Sequence, residues 1–225
     1  MRPRTKTPKR AAKTDVIGPD PDVGTDLDGV PTGEEVEGRD HVVFGLGNPG
    51  AKYRRTRHNL GFMLLDHLDG ELGRTPKAGR GDYVLSDGEL EGRRLLLVRP
   101  TTYMNLSGRA VAQVLANENL EAPKWMVAVD DVAIDLGKLR MRPSGSHAGH
   151  NGLRSIHEVQ GNGDYPRLRL GCGPAPEDED LADFVLGEFL EDEWDAVGKM
   201  VGRAAHAVRG WLVDGVERTM SRFNG

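Results

Sequence analysis

Four groups of polar residues in this 225-residue chain have types and placing suited to chemistry: Asn48, His58, Met104-Asn105 with Asp130, and His150-Asn151. Each follows an apolar run or sits in a loop. Hydrolysis of an ester needs an activated water, a group that holds the base, and donors for the oxyanion. A histidine, an aspartate and several asparagines supply those parts without a serine or cysteine nucleophile. Each motif also has a plainer reading. Asparagines in glycine-rich loops are commonly turn residues, and a histidine ahead of a helix can simply bond the backbone. His147 and His150, spaced H-x-x-H, suggest a metal at first sight. They lack the helical i, i+4 spacing and a neighbouring third ligand, so no metal is expected.

The stretch His41 to Leu68 must position the first two groups. Val42-Val43-Phe44 is an apolar run of strand-forming residues, and Gly45-Leu46-Gly47-Asn48-Pro49-Gly50 is a turn. Asn59 is the expected N-cap of a helix with apolar residues at 62, 64, 65, 68 and 72. Polar groups thus gather at the carboxyl end of a strand, where open α/β sheets place their ligands. The turn also spells G-x-G-x-x-G, but the residues after Gly50 carry no apolar helical stripe. No acid stands at the end of a following strand, so a dinucleotide site is set aside.

Further along, Tyr83–Ser86 and Leu95–Val98 read as two strands joined around Asp87-Gly88 and Glu91-Gly92. Leu106–Ala116 reads as a helix, and Trp125–Val129 as a buried strand closing on Asp130-Asp131. Lys138–Arg142 alternates charge with apolar residues, a half-exposed strand, and Arg167–Leu170 repeats that alternation. A loop over Ser144–Gly152 leads to a helix bearing Leu153, Ile156 and Val159. From residue 190 to 212 apolar residues keep a spacing of three and four. Interleaved strands and helices predict a single α/β domain: a central twisted mixed sheet with helices on both faces.

Composition narrows the setting. No apolar run is long enough to span a membrane, and the single cysteine, Cys172, rules out a disulfide framework and suits a reducing, cytoplasmic compartment. The net charge of −5 argues against indiscriminate nucleic-acid binding, though not against a local basic face. Residues 1–40 hold seven basic and nine acidic residues and little apolar surface, so they are expected to form a disordered tail ahead of a domain at 41–225. The basic start lacks the serines and amphipathic face of a transit peptide.

The strings G-L-G-N-P-G, T-R-H-N-L-G, P-T-T-Y-M-N-L-S-G and G-H-N-G-L, with Tyr53 among them, resemble the bacterial-type peptidyl-tRNA hydrolase family over about residues 41 to 224. The resemblance implies a cofactor-independent, monomeric esterase acting on peptidyl-tRNA in translation and ribosome rescue. It maps the general base to His58 and its anionic partner to Asp130. Asn48, Asn105 and Asn151 map to the substrate-binding amides, with Tyr53 and Met104 as walls of the site. Arg142 and Arg169 fall where the family clamps the 5′-phosphate of tRNA; without the resemblance they read as a solvated strand face. Two departures stand out: Val129, Val132 and Ala133 alter the segment around Asp130, and Ser144 and Ala148 replace glycines of the loop. A rival from another class is an RNA-binding scaffold, since chloroplast splicing factors resemble the same family and keep much of this residue set. They add a hydrophobic partner surface that is not evident here.

The tail reading has a direct consequence. Deleting residues 1–40 should leave the thermal midpoint within error and hydrolysis mostly intact. A melting scan that drops by several degrees would show that the segment docks on the domain.

Overall fold

Two-residue periodicity along the first strand decides where the helices lie. In β1 (His41–Gly45) Val43 points into one apolar cluster, while Val42 and Phe44 point into another on the opposite face. Its neighbours divide the same way: Leu95 and Leu97 of β4 (Arg93–Pro100) join Val43, and Leu96 and Val98 join Phe44. A computed structural model describes residues 41–118 and 125–224; the expectation for residues 1–40 lies outside them.

The sheet has seven strands in the order β2-β3-β4-β1-β5-β7-β6. Strands β4, β1, β5 (Trp125–Asp135) and β7 (Arg167–Gly173) run parallel at its centre. Antiparallel β2 (Lys77–Ala78) and β3 (Tyr83–Leu90) close one edge, and antiparallel β6 (Leu139–Arg142) closes the other. Helix α1 (Leu60–Leu72) and the long C-terminal helix α5 (Trp194–Phe223) cover one face. Helices α2 (Ser107–Glu118) and α3 (Asn151–Gln160) cover the other. The short helix α4 (Leu181–Leu186) lies between β7 and α5 in the chain. Parallel strands bring their carboxyl ends to one edge, so the loops after β1 and β4 meet beside β5 there.

Close approach explains the glycines of the opening turn. A Cβ on Gly45 would lie 2.4 Å from the carbonyl oxygen of Gly61, and one on Gly61 would lie 2.4 Å from the amide nitrogen of Leu46. Helix α1 therefore packs backbone to backbone on the end of β1. These glycines serve packing, and the G-x-G-x-x-G spelling is incidental.

Several boundaries differ from the sequence reading. Residues Asp87-Gly88 lie inside β3, and the hairpin turns only at Glu91-Gly92, where both φ angles are positive at 54° and 68°. That geometry suits a tight two-residue turn. Strand β5 does not close at Asp130: its partner β7 continues beside it, pairing Asp130 with Leu170 and Asp131 with Gly171. Charge alone does not end a strand whose ladder is still being extended. Helix α5 is kinked at Gly215, with φ 78°.

The largest difference is in β7, which lies between β5 and β6 and is not half-exposed. Arg167 has no exposed surface. Its guanidinium stacks 4.3 Å from the Tyr165 ring and donates to the carbonyls of Gly145, Ser146, Gly163 and Tyr165 at 2.6 to 3.3 Å. Burial pushes its pKa down, yet a guanidinium still keeps its charge. One arginine thus closes the loop before α3 onto the sheet. Arg167→Met keeps the stem but leaves buried carbonyls unpaired, and should cost roughly 3 kcal/mol or more in a urea unfolding series.

Candidate active site

The turn after β1 is tied in place before it offers anything to a ligand. The amide of Leu46 donates to the Ala128 carbonyl of β5 at 3.0 Å. Asn59, expected to cap α1, makes no such cap. Its side chain reaches back: Oδ1 accepts from the Asn48 amide at 2.8 Å and Nδ2 donates to the Asn48 carbonyl at 3.0 Å. Two opposed backbone groups at one position satisfy an amide side chain better than a single helix N–H, so Asn59 pins Asn48. The Asn48 side chain then accepts from the Met104 amide through Oδ1 at 2.8 Å. A backbone N–H needs an acceptor, which fixes the orientation of this amide and leaves its Nδ2 hydrogens as what Asn48 can offer.

His58 sits in the 3-10 turn Arg57–Asn59 just ahead of α1. Its Nδ1 lies 3.0 Å from both carboxylate oxygens of Asp130. His150 stands at the N-cap of α3, where Nδ1 accepts from the amides of Gly152 and Leu153 at 3.1 and 3.3 Å. A nitrogen that accepts two N–H bonds carries no proton, so in the neutral ring the hydrogen is on Nε2. That Nε2 donates to Oδ1 of Asp130 at 3.1 Å. The N-terminus of a helix thereby sets the tautomer of a histidine, and the histidine helps hold the carboxylate.

The electrostatics follow from burial. Asp130 is only 3% exposed. Desolvation favours its neutral acid, but His58 and His150 outweigh that and hold the carboxyl well below the usual carboxylate range. Burial likewise opposes the charged form of His58; the adjacent anion more than compensates, so its pKa is raised above 6.5. With Nδ1–H aimed at Asp130, the His58 Nε2 lone pair is left to act.

These residues border a cleft of about 690 Å3. Every residue assigned to catalysis or substrate from the sequence lines it: His58, Asp130, Asn48, Tyr53, Met104, Asn105 and Asn151. Tyr53 meets Tyr103 edge to face at 6.4 Å. Asn151 opens α3 and does not lie in the preceding loop. Arg169 reaches the cleft, with Nη1 on Asp131 at 2.9 Å and Nη2 on the Ser146 carbonyl at 3.0 Å. Arg142 lies outside it, on edge strand β6, exposed on the same face as Arg169. Ala148 takes a positive φ of 47°, the conformation the family's glycine would enter without strain.

Sequence reasoning named His150 beside Asn151 but gave it no role, and it missed the pairing of Asp131 with Arg169 and the apolar wall made by α4. H-x-x-H drew attention only as a metal pair, yet His147 turns toward His157, with ring centroids 5.6 Å apart. A third potential ligand does lie near His150, contrary to expectation. The ligand atoms of His58, Asp130 and His150 fall within 4.8 Å of one another. The nitrogens that face Asp130, Nδ1 of His58 and Nε2 of His150, are N–H donors in this hydrogen-bonded arrangement. The recoverable signal was the capping position of His150, one residue before a helix that starts Asn-Gly-Leu.

A buried carboxylate shared by two histidines lies at the carboxyl edge of a mixed α/β sheet beside three asparagines, parts that suit a hydrolase, and neither serine nor cysteine is among the described residues that line the cleft. Comparison with known proteins narrows the class. Residues 42–225 match the family model described as peptidyl-tRNA hydrolase, and the chain belongs to that family. Curated relatives named peptidyl-tRNA hydrolase include one from Desulforudis audaxviator, 43% identical over 81% of this chain and 92% of its own length. Another, from Caldanaerobacter subterraneus, is 40% identical over 82% of this chain and all of its own. The crystal structure of peptidyl-tRNA hydrolase from Acinetobacter baumannii superposes with a TM-score of 0.77 at 31% identity, covering 82% of this chain and 94% of that one.

Proposed function

We propose that this chain hydrolyses the ester joining a peptide to the terminal ribose of peptidyl-tRNA, with His58 as general base toward water. The observation that carries the mechanism is the single free lone pair of His58, opposite an Nδ1–H committed to buried Asp130. Water placed against Nε2 attacks the ester carbonyl while its proton passes to the imidazole. The imidazolium so formed is stabilised by Asp130, which stays ionised. The tetrahedral oxyanion is met by neutral amide donors. Collapse expels the ribose oxygen, and His58 returns the proton to it, giving free peptide and tRNA. The step balances with no metal and no second subunit.

Neutral amides suit this site, since a cation beside His58 would lower its pKa and weaken the base. Asn48, whose oxygen is engaged, acts as a donor; with Asn105 it places the substrate, and Asn151 faces the substrate or the oxyanion. Tyr53 and Met104 are walls. For the RNA, Arg169 presents a positive charge pre-ordered by Asp131 and Ser146, and Arg142 adds an exposed one on the same face; together they take the 5′-phosphate. We place this activity in the cytoplasm, with the protein acting as a monomer.

Turnover of peptidyl-tRNA, against the same RNA carrying no ester, tests the reaction. His58→Ala should lose roughly two to four orders in kcat with little change in binding of uncharged tRNA. Asp130→Asn should lose a similar roughly two to four orders. Its pH profile is the sharper test. Asp130 raises the His58 pKa, and the base works only when neutral, so removing the charge should move the acidic limb of kcat/KM to lower pH. A limb that stays put or rises removes the pairing from the mechanism.

The phosphate contact has its own readout. Arg142→Ala should chiefly raise KM and flatten its salt dependence. The penalty should shrink on tRNA without a 5′-phosphate; equal penalties on both RNAs leave Arg142 as a surface charge.

A further inference from the structure

Arg57, the neighbour of His58, is a buried cation with no part in the proton transfer just described. Its side chain is 8% exposed. Its amide and the polar and ring contacts of its side chain lead to one segment of chain. Its amide donates to the Gly187 carbonyl at 3.1 Å, and Nη1 donates to the Glu188 carbonyl at 2.6 Å. Nη2 pairs with Glu193 at 2.8 Å, while the guanidinium lies over Phe184 at 4.5 Å and Phe189 at 5.0 Å. Thr56 adds an isolated bridge to Glu188, and the Phe189 amide donates to the Arg55 carbonyl at 3.3 Å.

That segment carries α4, a helix of six residues in which only Phe184 is buried. Among the described elements, the turn Arg57–Asn59 is the one α4 packs against closely. A helix this short has no stability of its own. Leu181, Val185 and Leu186 of the same helix line the cleft, with Leu181 and Leu186 left 51% and 41% exposed. Large apolar side chains exposed together around a cleft mark a surface that meets an apolar ligand.

We propose that Arg57 is a positioning residue for the peptide: through Phe184 and Glu193 it holds α4 so that Leu181, Val185 and Leu186 receive the side chain of the esterified amino acid. The proposal rests on the reading of the cleft as the peptidyl-tRNA site. It adds that the turn carrying the base also fixes the wall that selects the peptide. Disturbing the latch should loosen binding of an apolar side chain and leave the chemistry at His58 in place.

The test uses the full chain and one tRNA charged either with N-acetyl-leucine or with N-acetyl-glycine, which has no side chain to meet the wall. Wild-type protein should favour the leucyl ester in kcat/KM. In Arg57→Lys and in Glu193→Gln that preference should fall about tenfold, the low end of what one methylene is worth in an apolar pocket. The loss should come from a raised KM for the leucyl ester, with kcat within about twofold on both esters. The ratio is taken on one preparation, so partial unfolding of a variant cancels. Wild type without a preference, or a preference that survives both substitutions, overturns the proposal. So does an equal fall in kcat on both esters, which would put Arg57 to work on His58 itself. Wild type that cleaves neither ester would instead refute the hydrolase reading.

Discussion

Burial of the Asp130 carboxylate is the constraint on which the rest of the site depends. An unpaired anion at that depth would take up a proton, because desolvation penalises its charged form. It stays ionised because two imidazole N–H groups point at it from opposite parts of the chain. One comes from the turn after β1 and the other from the N-cap of α3. Each must be fixed independently for the carboxylate to be satisfied. The Asn59–Asn48 amide exchange fixes the first turn, and the α3 amides with the Arg167 loop closure fix the second. The electrostatics of one oxygen pair therefore reach back into the folding of two loops.

Three arginines show how this fold handles buried cations. Arg57, Arg99 and Arg167 are each at most 7% exposed, and each closes a junction between elements. Arg99 donates to Asp69 at 2.6 Å and to Asp66 at 2.8 Å, tying β4 to α1, while Ser86 also donates to Asp69. Arg167 spends its donors on carbonyls, and Arg57 divides them between a carbonyl and Glu193. A planar fork with five donors can serve several acceptors at once, which a lysine point charge cannot. This is why alternation of arginine with leucine in β7 misled: it carries the pattern of a half-solvated strand, but the arginines on that face are covered by a loop they themselves anchor.

The cleft divides its labour by chemistry. Its floor is polar and pre-ordered, with Asn48, His58, Asp130 and His150 all engaged by neighbours. The α4 side is apolar and packs against the turn that carries Arg57. Such a split suits a reaction whose bond is constant and whose peptide varies. The altered segment around Asp130 is accommodated without loss of the anion: Asp131 pairs with Arg169 and accepts from the Ala133 amide, and Val132 turns toward the cleft.

Much of this was determined by the sequence alone. Two-residue and helical periodicities set the strands, the helices and the α/β class, because side-chain burial on a sheet face or helix face repeats at fixed spacing. Short strings around Asn48, His58, Met104-Asn105 and Asn151 marked residues that line the cleft, and Asp130 stood after an apolar run. What only the tertiary structure decided are relations between distant residues. Asn59 turned back on Asn48 and left the helix N-terminus uncapped, since the competing acceptor and donor sit eleven positions away. His150 became a ligand of Asp130 because α3 starts beside β5, a fact of packing that no local pattern encodes. Arg167 went inside, and Arg57 joined the turn of His58 to the α4 segment, because strand order and loop closure set burial, and neither is periodic along the chain.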